Sequence, residues 1–352
     1  MLPSVATCLR LALTLGLGSA GGALFFVLAL PLPWMMGAMV ATMVAAVAGG
    51  PVVLPMGLRT AMIVVLGVML GSAFTPALID QVGRWLPSLA MLVPYIVLAT
   101  MSALAFHLHI ARYDPVTAYF ASAPGGLTDM TILGGALGGD ERTIALTHSA
   151  RVFLVVMLIP AGFRVFGDFD PAGRANPFNP IGSIDGLDFL VLGVLGIAGY
   201  VLARLARVPA AALVGPALAS GSLHLSGATS SVPPGWAVAI AQIVVGAAIG
   251  CRFAGVAPRV VLRVLVLALG SLVILSMVTG LVCLIVASIT GLDAAILILA
   301  FAPGGMAEMS LVALALGLDP ALVTTHHVLR IFLVVMLVPA AFKPLAARRR
   351  TR

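Results

Sequence analysis

The chain has 352 residues, 61% of them hydrophobic and 9% charged, with a net charge of +7. An ordinary soluble domain carries about 25% charged residues; a soluble fold of this size cannot hide so much apolar surface, which leaves lipid as the solvent. The basic residues sit in short loops and in the tail Lys343, Arg348, Arg349, Arg350 and Arg352, a placement that fits anchoring at an anionic leaflet and not nucleic-acid binding.

Taken in order, the apolar run 11–30 behind Arg10 exceeds the ~7–15 residues of a signal-peptide core. It has a counterpart later in the chain, so it reads as a mature span. Helical spans are expected near 9–30, 33–49, 58–79 and 86–107, then an interrupted segment at 114–139 and a span near 143–164. A stretch rich in Gly, Pro, Asn and Asp follows, a polar linker. The order then repeats: 187–206, 209–226, 235–253, 263–289, an interrupted segment at 293–318, and 322–342. None of the blocks has the dyad alternation of a barrel wall. Cys8, Cys251 and Cys283 lie at no metal-like spacing and read as small hydrophobes.

The repetition is exact enough to align. Pro124-Gly125-Gly126 with Asp129 recurs as Pro303-Gly304-Gly305 with Glu308. His148-x-x-Arg151-x-Phe153 recurs as His327-x-x-Arg330-x-Phe332. At an offset of 179, 19 of 40 positions are identical over 124–163 against 303–342. Asp114 pairs with Asp293, Gly67 with Gly246 and Gly71 with Gly250; with one gap, Pro31 and Gly37 pair with Pro209 and Gly215. The expected organisation is a first membrane repeat at 1–166, a linker at 167–189, a second repeat at 190–346 and a basic tail at 347–352.

The interrupted segments decide the topology. Proline removes an amide donor and two glycines remove side-chain cover. Backbone broken in this way within a membrane must line a cavity or be buried in protein. If both segments enter and return, fourteen Lys and Arg residues fall inside and three, Arg84, Arg164 and Arg174, fall outside. If both cross, the split is ten to seven. The first split is the one the positive-inside rule favours, and five crossings per half make the repeats inverted, a common plan of secondary transporters. The expected fold is therefore an all-α polytopic membrane protein with two inverted repeats. Each has five transmembrane helices and one Pro-Gly-Gly-interrupted element, re-entrant or, as the alternative, a broken crossing helix. Both termini are then cytoplasmic.

Asp129 and Glu308 each fall in the first turn of a short helix, where unpaired amides and a partial positive charge await an anion. Each is either a cap that fixes the segment or an intramembrane carboxylate that binds a proton or cation. The i, i+3 spacing puts His148 with Arg151, and His327 with Arg330, on one helix face. Either Arg151 pairs with Asp129 and Arg330 with Glu308 as staples, or the arginines and the segment's amides form an anion site with a titrating His. A third option puts His148 and His327 near the membrane boundary. His107 and His109 point apart on a helix and make a poor chelate. His326 has Thr147 at its equivalent position, which weakens any symmetric metal site.

The duplicated Pro-Gly-Gly-x-x-Asp/Glu-Met element followed by His-x-x-Arg-x-Phe resembles the bacterial AbrB membrane-protein family, known for an internal membrane duplication. This family is distinct from the soluble DNA-binding regulators of the same name. The resemblance covers essentially the whole chain. It brings two inherited labels, regulator of aidB expression and ammonia monooxygenase, and a fold-level similarity to the cation–proton antiporter and anion transporter group. It implies a transporter-like core and names no substrate. Thr128 stands opposite Ala307, so no symmetric hydroxyl ligand carries over. The function expected is a secondary transporter or exporter of a small solute, coupled to H⁺ or Na⁺, at Pro124, Gly125, Gly126, Asp129, His148 and Arg151 with Pro303, Gly304, Gly305, Glu308, His327 and Arg330. The alternatives are an indirect regulator of gene expression and a membrane monooxygenase, for which six scattered histidines are a poor copper site. No catalysis, metal or cofactor is expected. The partners implied are the lipid bilayer, a small solute and its coupling ion, with a homodimer left open and no nucleic acid.

Overall fold

The structure is a computed structural model that describes residues 5–78, 81–166 and 186–350. Most of the expected linker 167–189 and the end of the tail therefore lie outside the described residues. Among those described, every regular element is helical. The first half holds α1 (Val5–Val27), α2 (Pro33–Val47), α3 (Met56–Gly71), α4 (Val82–Ala90), α5 (Leu92–His109), α6 (Pro115–Ser122), α7 (Leu127–Ala136) and α8 (Glu141–Phe166). The second holds α9 (Gly186–Leu205), α10 (Ala211–Leu225), α11 (Gly235–Gly250), α12 (Pro258–Thr290), α13 (Ala294–Phe301), α14 (Met306–Ala315) and α15 (Pro320–Arg350). The order is the same in both halves, except that α12 is one helix where the first half has two. The cause is Pro94: it has no N–H to give to Ala90, so the chain breaks at Met91. The equivalent position in α12 is Val273.

Seven of the described helical stretches are long and apolar enough to cross a membrane: α1, α4 with α5, α8, α9, α11 with the turn after it, α12 and α15. The sequence suggests ten crossings, and the difference lies in α2, α3 and α10, which have 15, 16 and 15 residues. At ~1.5 Å per residue these reach roughly 23 Å, short of the ~30 Å hydrocarbon layer. Within unit 1, α2 packs on α1 and α11, and α10 on α9 and α3.

By contact, the chain forms two compact units. Unit 1 takes 1–81, 156–263 and 307–321; unit 2 takes 82–155, 264–306 and 322–352. Each draws on both halves of the chain. Within unit 1 the duplication is visible atom by atom. A Cβ on Gly67 of α3 would strike Leu213 O of α10, and one on Gly246 of α11 would strike Met35 O of α2. One turn on, Gly71 abuts Ser220 and Gly250 abuts Thr42. Gly21 meets Gly37 between α1 and α2 as Gly199 meets Gly215 between α9 and α10. Equivalent residues thus exchange partners, the reciprocal pattern that a local two-fold relation produces. The turns before α2 and α10 match as well: Leu32 and Ala210, equivalent positions, have φ of 46° and 51°. Such close approach of small residues is how helices associate without a hydrophobic drive from lipid. Gly246→Val should therefore cost about 1–3 kcal/mol by overpacking against backbone, and Gly67→Val a similar amount. Thermal unfolding of the two variants in detergent checks this; a large effect at one glycine alone would contradict the shared geometry.

Candidate functional site

The first interrupted segment lies in unit 2. Asp114 opens α6, accepting from Val116 N and Thr117 N, and Asp293 opens α13 by accepting from Ala295 N. After α6 the backbone turns extended at Ala123, passes Pro124 and Gly125, and restarts as α7 with Gly126 at its N-cap. The two short helices fold back on each other. Asp140 N, just past α7, donates to Thr117 Oγ1 in the first turn of α6 at 2.8 Å, and Gly134 lies against Phe120. The segment is a hairpin whose ends meet, not a straight helix with a gap. Asp140 then caps α8, accepting from the Thr143 hydroxyl, Arg142 N and Thr143 N. The Thr143 hydroxyl holds the Asp140 carboxyl below the usual carboxylate range.

The break frees carbonyls at the end of α6 that a continuous helix would have used. They are taken up from α8. His148 Nε2 bonds Phe120 O at 2.9 Å, and Arg151 Nη2 donates to Ala123 O at 3.1 Å and to His148 Nδ1 at 2.7 Å. The second half repeats this within unit 2. His327 Nε2 bonds Leu299 O at 2.9 Å, Arg330 Nη1 donates to Ala302 O, and Arg330 Nη2 donates to Gly304 O at 2.7 Å and His327 Nδ1 at 2.8 Å. Every one of these side-chain-to-backbone links spans 28 residues except the extra bond to Gly304. A cation at a helix C-terminus is favoured by the helix dipole.

These bonds fix the imidazoles. Arginine can only donate, so Nδ1 of each His accepts; a carbonyl can only accept, so Nε2 carries the hydrogen. His148 and His327 are therefore neutral, and a second proton would break the bond to Arg. They link arginine to half-helix, with side chains 1% and 0% exposed.

The expected acid–arginine staples are not what holds the arginines. Asp129 makes no ion pair with Arg151; its carboxylate lies over Gly126, where an added Cβ would come within 2.7 Å of Oδ2. Asp129 is half-buried at the start of α7. Glu308, in unit 1, is 9% exposed and lies in the field of Arg59 and Arg252. The two acids, equivalent in sequence, thus have different surroundings. Spacing alone identifies which side chains share a face, and it cannot tell that backbone acceptors would outcompete a carboxylate.

Two tyrosines also tie half-helices and were not picked out from the sequence. Tyr95 OH donates to Phe301 O at 2.5 Å and Tyr119 OH donates to Val338 O at 2.8 Å. The available signal was a Tyr in an otherwise apolar helix, whose buried hydroxyl must find a partner. His107 bonds Ser122 Oγ of α6 at 2.8 Å and stacks on Tyr113, while His109 is exposed. His326 bonds Leu322 O and Ser88 Oγ. Among the described residues no three His, Cys, Asp or Glu side chains gather. A cavity of about 200 Å³ in unit 2, lined by Pro87, Ala90, Met91, Val286, Ile289 and Thr290, is apolar and contains none of the site residues.

The family model described as "Transition state regulatory protein AbrB" matches residues 34–346. A protein of Bacillus subtilis (strain 168), "Uncharacterized protein YhjN", is 27% identical over 300 residues, covering 79% of this chain and 76% of that one.

Proposed function

We propose that this chain, which belongs to the AbrB family, is a secondary transporter or exporter of a small solute, coupled to H⁺ or Na⁺, in the bacterial cytoplasmic membrane. The observation that carries the reading is the duplicated break. Two half-helices end inside protein, and their freed carbonyls are held by buried Arg151 and Arg330 with His148 and His327. Discontinuous helices with exposed backbone ends are the usual material of transport sites at the bilayer midplane. The exchanged contacts in unit 1 support repeats related by a two-fold axis, and the positive-inside split supports placing that axis in the membrane plane, with both termini cytoplasmic. The solute and coupling ion would then be handled at Pro124-Gly125-Gly126 and Pro303-Gly304-Gly305 with the acids and arginines beside them.

With both imidazoles locked neutral, Asp129 is the group of the first hairpin that is free to exchange a proton. Glu308 is buried in unit 1 with Arg59 and Arg252 in its field. In proteoliposomes carrying a pH gradient, Asp129→Asn should abolish proton-coupled solute flux while leaving thermal stability unchanged, because the amide imitates the protonated acid. Flux with unaltered pH dependence would remove Asp129 from the coupling role. Topology has its own check. In a background free of Cys8, Cys251 and Cys283, single cysteines at 112 and 140 should react with an impermeant thiol reagent from the same side. Labelling from opposite sides would mean that the hairpin does not return.

The family description names a regulatory protein, which favours a second reading in which the chain alters gene expression. Under the transport reading such an effect follows indirectly from the solute. A transport-dead Asp129→Asn variant that kept the full regulatory phenotype would favour the second reading.

A further inference from the structure

The bonding rule that makes His148 and His327 neutral gives the opposite result at His224. This side chain is 5% exposed and lies in the last turn of α10, in unit 1. Its Nδ1 meets Ser220 O at 2.8 Å and its Nε2 meets Ser231 O at 3.0 Å. Both partners are carbonyls, which only accept, so both ring nitrogens must carry hydrogen. A neutral imidazole has one such hydrogen and would turn a bare lone pair on one of the two carbonyls. The hydroxyl nearest Nδ1, Ser220 Oγ at 3.4 Å, cannot supply a hydrogen instead, because it donates to Val68 O at 2.8 Å. His326 differs: its Nε2 partner is the Ser88 hydroxyl, which can turn to donate.

The surroundings suit a cation. The last turn of a helix favours positive charge. Ser231, which receives the Nε2 hydrogen on its carbonyl, gives its hydroxyl to Asp188 Oδ2 at 2.6 Å, so imidazole and carboxylate grip one residue from either side. The helices packed on α10 are α9 and α3. Asp188 is in the first turn of α9, and Arg204 is in its last turn, at the far end. Ser220 bonds Val68 near the end of α3, whose one charged residue, Arg59, is in its first turn. The loop 226–234 has no titratable side chain. Among the described residues, the charges at this end are then one imidazole and one carboxylate.

The loop that follows α2 in the first half is fastened too, by Val53 N donating to Thr14 Oγ1 at 2.9 Å, a bond without a titrating group. At the offset that pairs Gly37 with Gly215, Ala46 stands opposite His224. The fastening is duplicated, and only the second copy can respond to pH.

We propose that His224 is a proton-binding site that latches the 226–234 loop to the end of α10. Protonated, it holds Ser220 O and Ser231 O together; on losing the proton it gives up one of them and the loop loosens. The folded chain then binds this proton better than the unfolded chain does, so the latch's contribution to stability is present at acid pH and is lost as pH rises. The proposal does not rest on the transport reading, and flux plays no part in its test.

The test uses the purified full chain in detergent and follows hydrogen exchange of the 226–234 amides, which reports local opening, with rates corrected for the intrinsic effect of pH. Protection should fall about tenfold or more between pH 6 and pH 9. His224→Gln keeps one N–H donor but cannot become a cation, and its loop should show low protection at both pH values. Asp188→Asn keeps the imidazole and removes the carboxylate, and should move the loosening to lower pH. His109→Gln, at an exposed histidine, should leave the profile unchanged. The proposal is overturned if loop protection in the unmodified chain is the same at pH 6 and pH 9, or if His224→Gln retains the pH dependence. Should His224→Gln not fold, ¹⁵N-histidine labelling of the unmodified chain and of Asp188→Asn decides: a buried histidine with both ring nitrogens protonated at pH 6, whose signal changes in Asp188→Asn, supports the latch, and its absence removes it.

Discussion

Arg330→Met is expected to destabilise the protein by about 2–4 kcal/mol. The substitution keeps a flexible apolar side chain of comparable reach, so packing is largely preserved and the lost hydrogen bonds dominate. Three acceptors are stranded: Ala302 O, Gly304 O and His327 Nδ1. A buried polar group left without its partner costs about 1–3 kcal/mol, and removing one member of a buried charged arrangement costs about 3–5 kcal/mol. Against this stands the relief of no longer burying a cation, which lowers the net figure without cancelling it, because the cation sits at a helix C-terminus where the dipole favours it. Since a domain's whole stability is about 5–15 kcal/mol, the folded fraction in the membrane should fall visibly. Arg151→Met strands two acceptors, Ala123 O and His148 Nδ1, and should cost less. Denaturant unfolding in detergent ranks the two. Equal stability of Arg330→Met and the unmodified chain would mean that the carbonyls are satisfied some other way and the arginine is free for a solute alone.

The ranking depends on partners that spacing could not supply. The sequence carries the duplication, the two breaks and the shared face of His148 with Arg151. The structure puts short helices at Pro115–Ser122 and Leu127–Ala136, inside the interrupted segment expected at 114–139. These features are local or self-comparing, so a single sequence contains them. The acceptor of Arg151 is different. A carboxylate at Asp129 and a carbonyl at Ala123 are both near in sequence, and charge alone argues for the carboxylate. What decides is that the break leaves the carbonyl with no amide to bond, a cost that the general rule on helix ends already implies. Hydropathy registers that α2, α3 and α10 leave water, but not which neighbours they pack on; the Gly67–Leu213 and Gly246–Met35 contacts come only from the fold.

Gly125→Val should impair folding or function far more than Gly135→Ala, although the raw distances suggest the opposite. A Cβ at Gly135 would overlap the Glu141 side chain, closer than any atom that one at Gly125 would meet. Glu141 is exposed and long, so it can swing away at the cost of a rotamer, well under 1 kcal/mol for an exposed side chain. A Cβ at Gly125 would come within 2.5 Å of Val334 Cγ1. Val334 is fully buried and β-branched, with one strongly preferred rotamer in a helix, so it cannot yield without moving α15 or the hairpin tip. Valine adds two further methyls at the same place. Overpacking of this kind costs about 1–3 kcal/mol, and here the displaced element is the one that Arg151 holds at Ala123 O. The variant should therefore lose solute-dependent stabilisation as well as intrinsic stability, whereas Gly135→Ala should keep both. Measuring unfolding temperature with and without solute separates the two effects. If Gly125→Val and Gly135→Ala behave alike, the hairpin tip is not packed on α15 as described, and the coupling between the break and the arginines loses its physical basis.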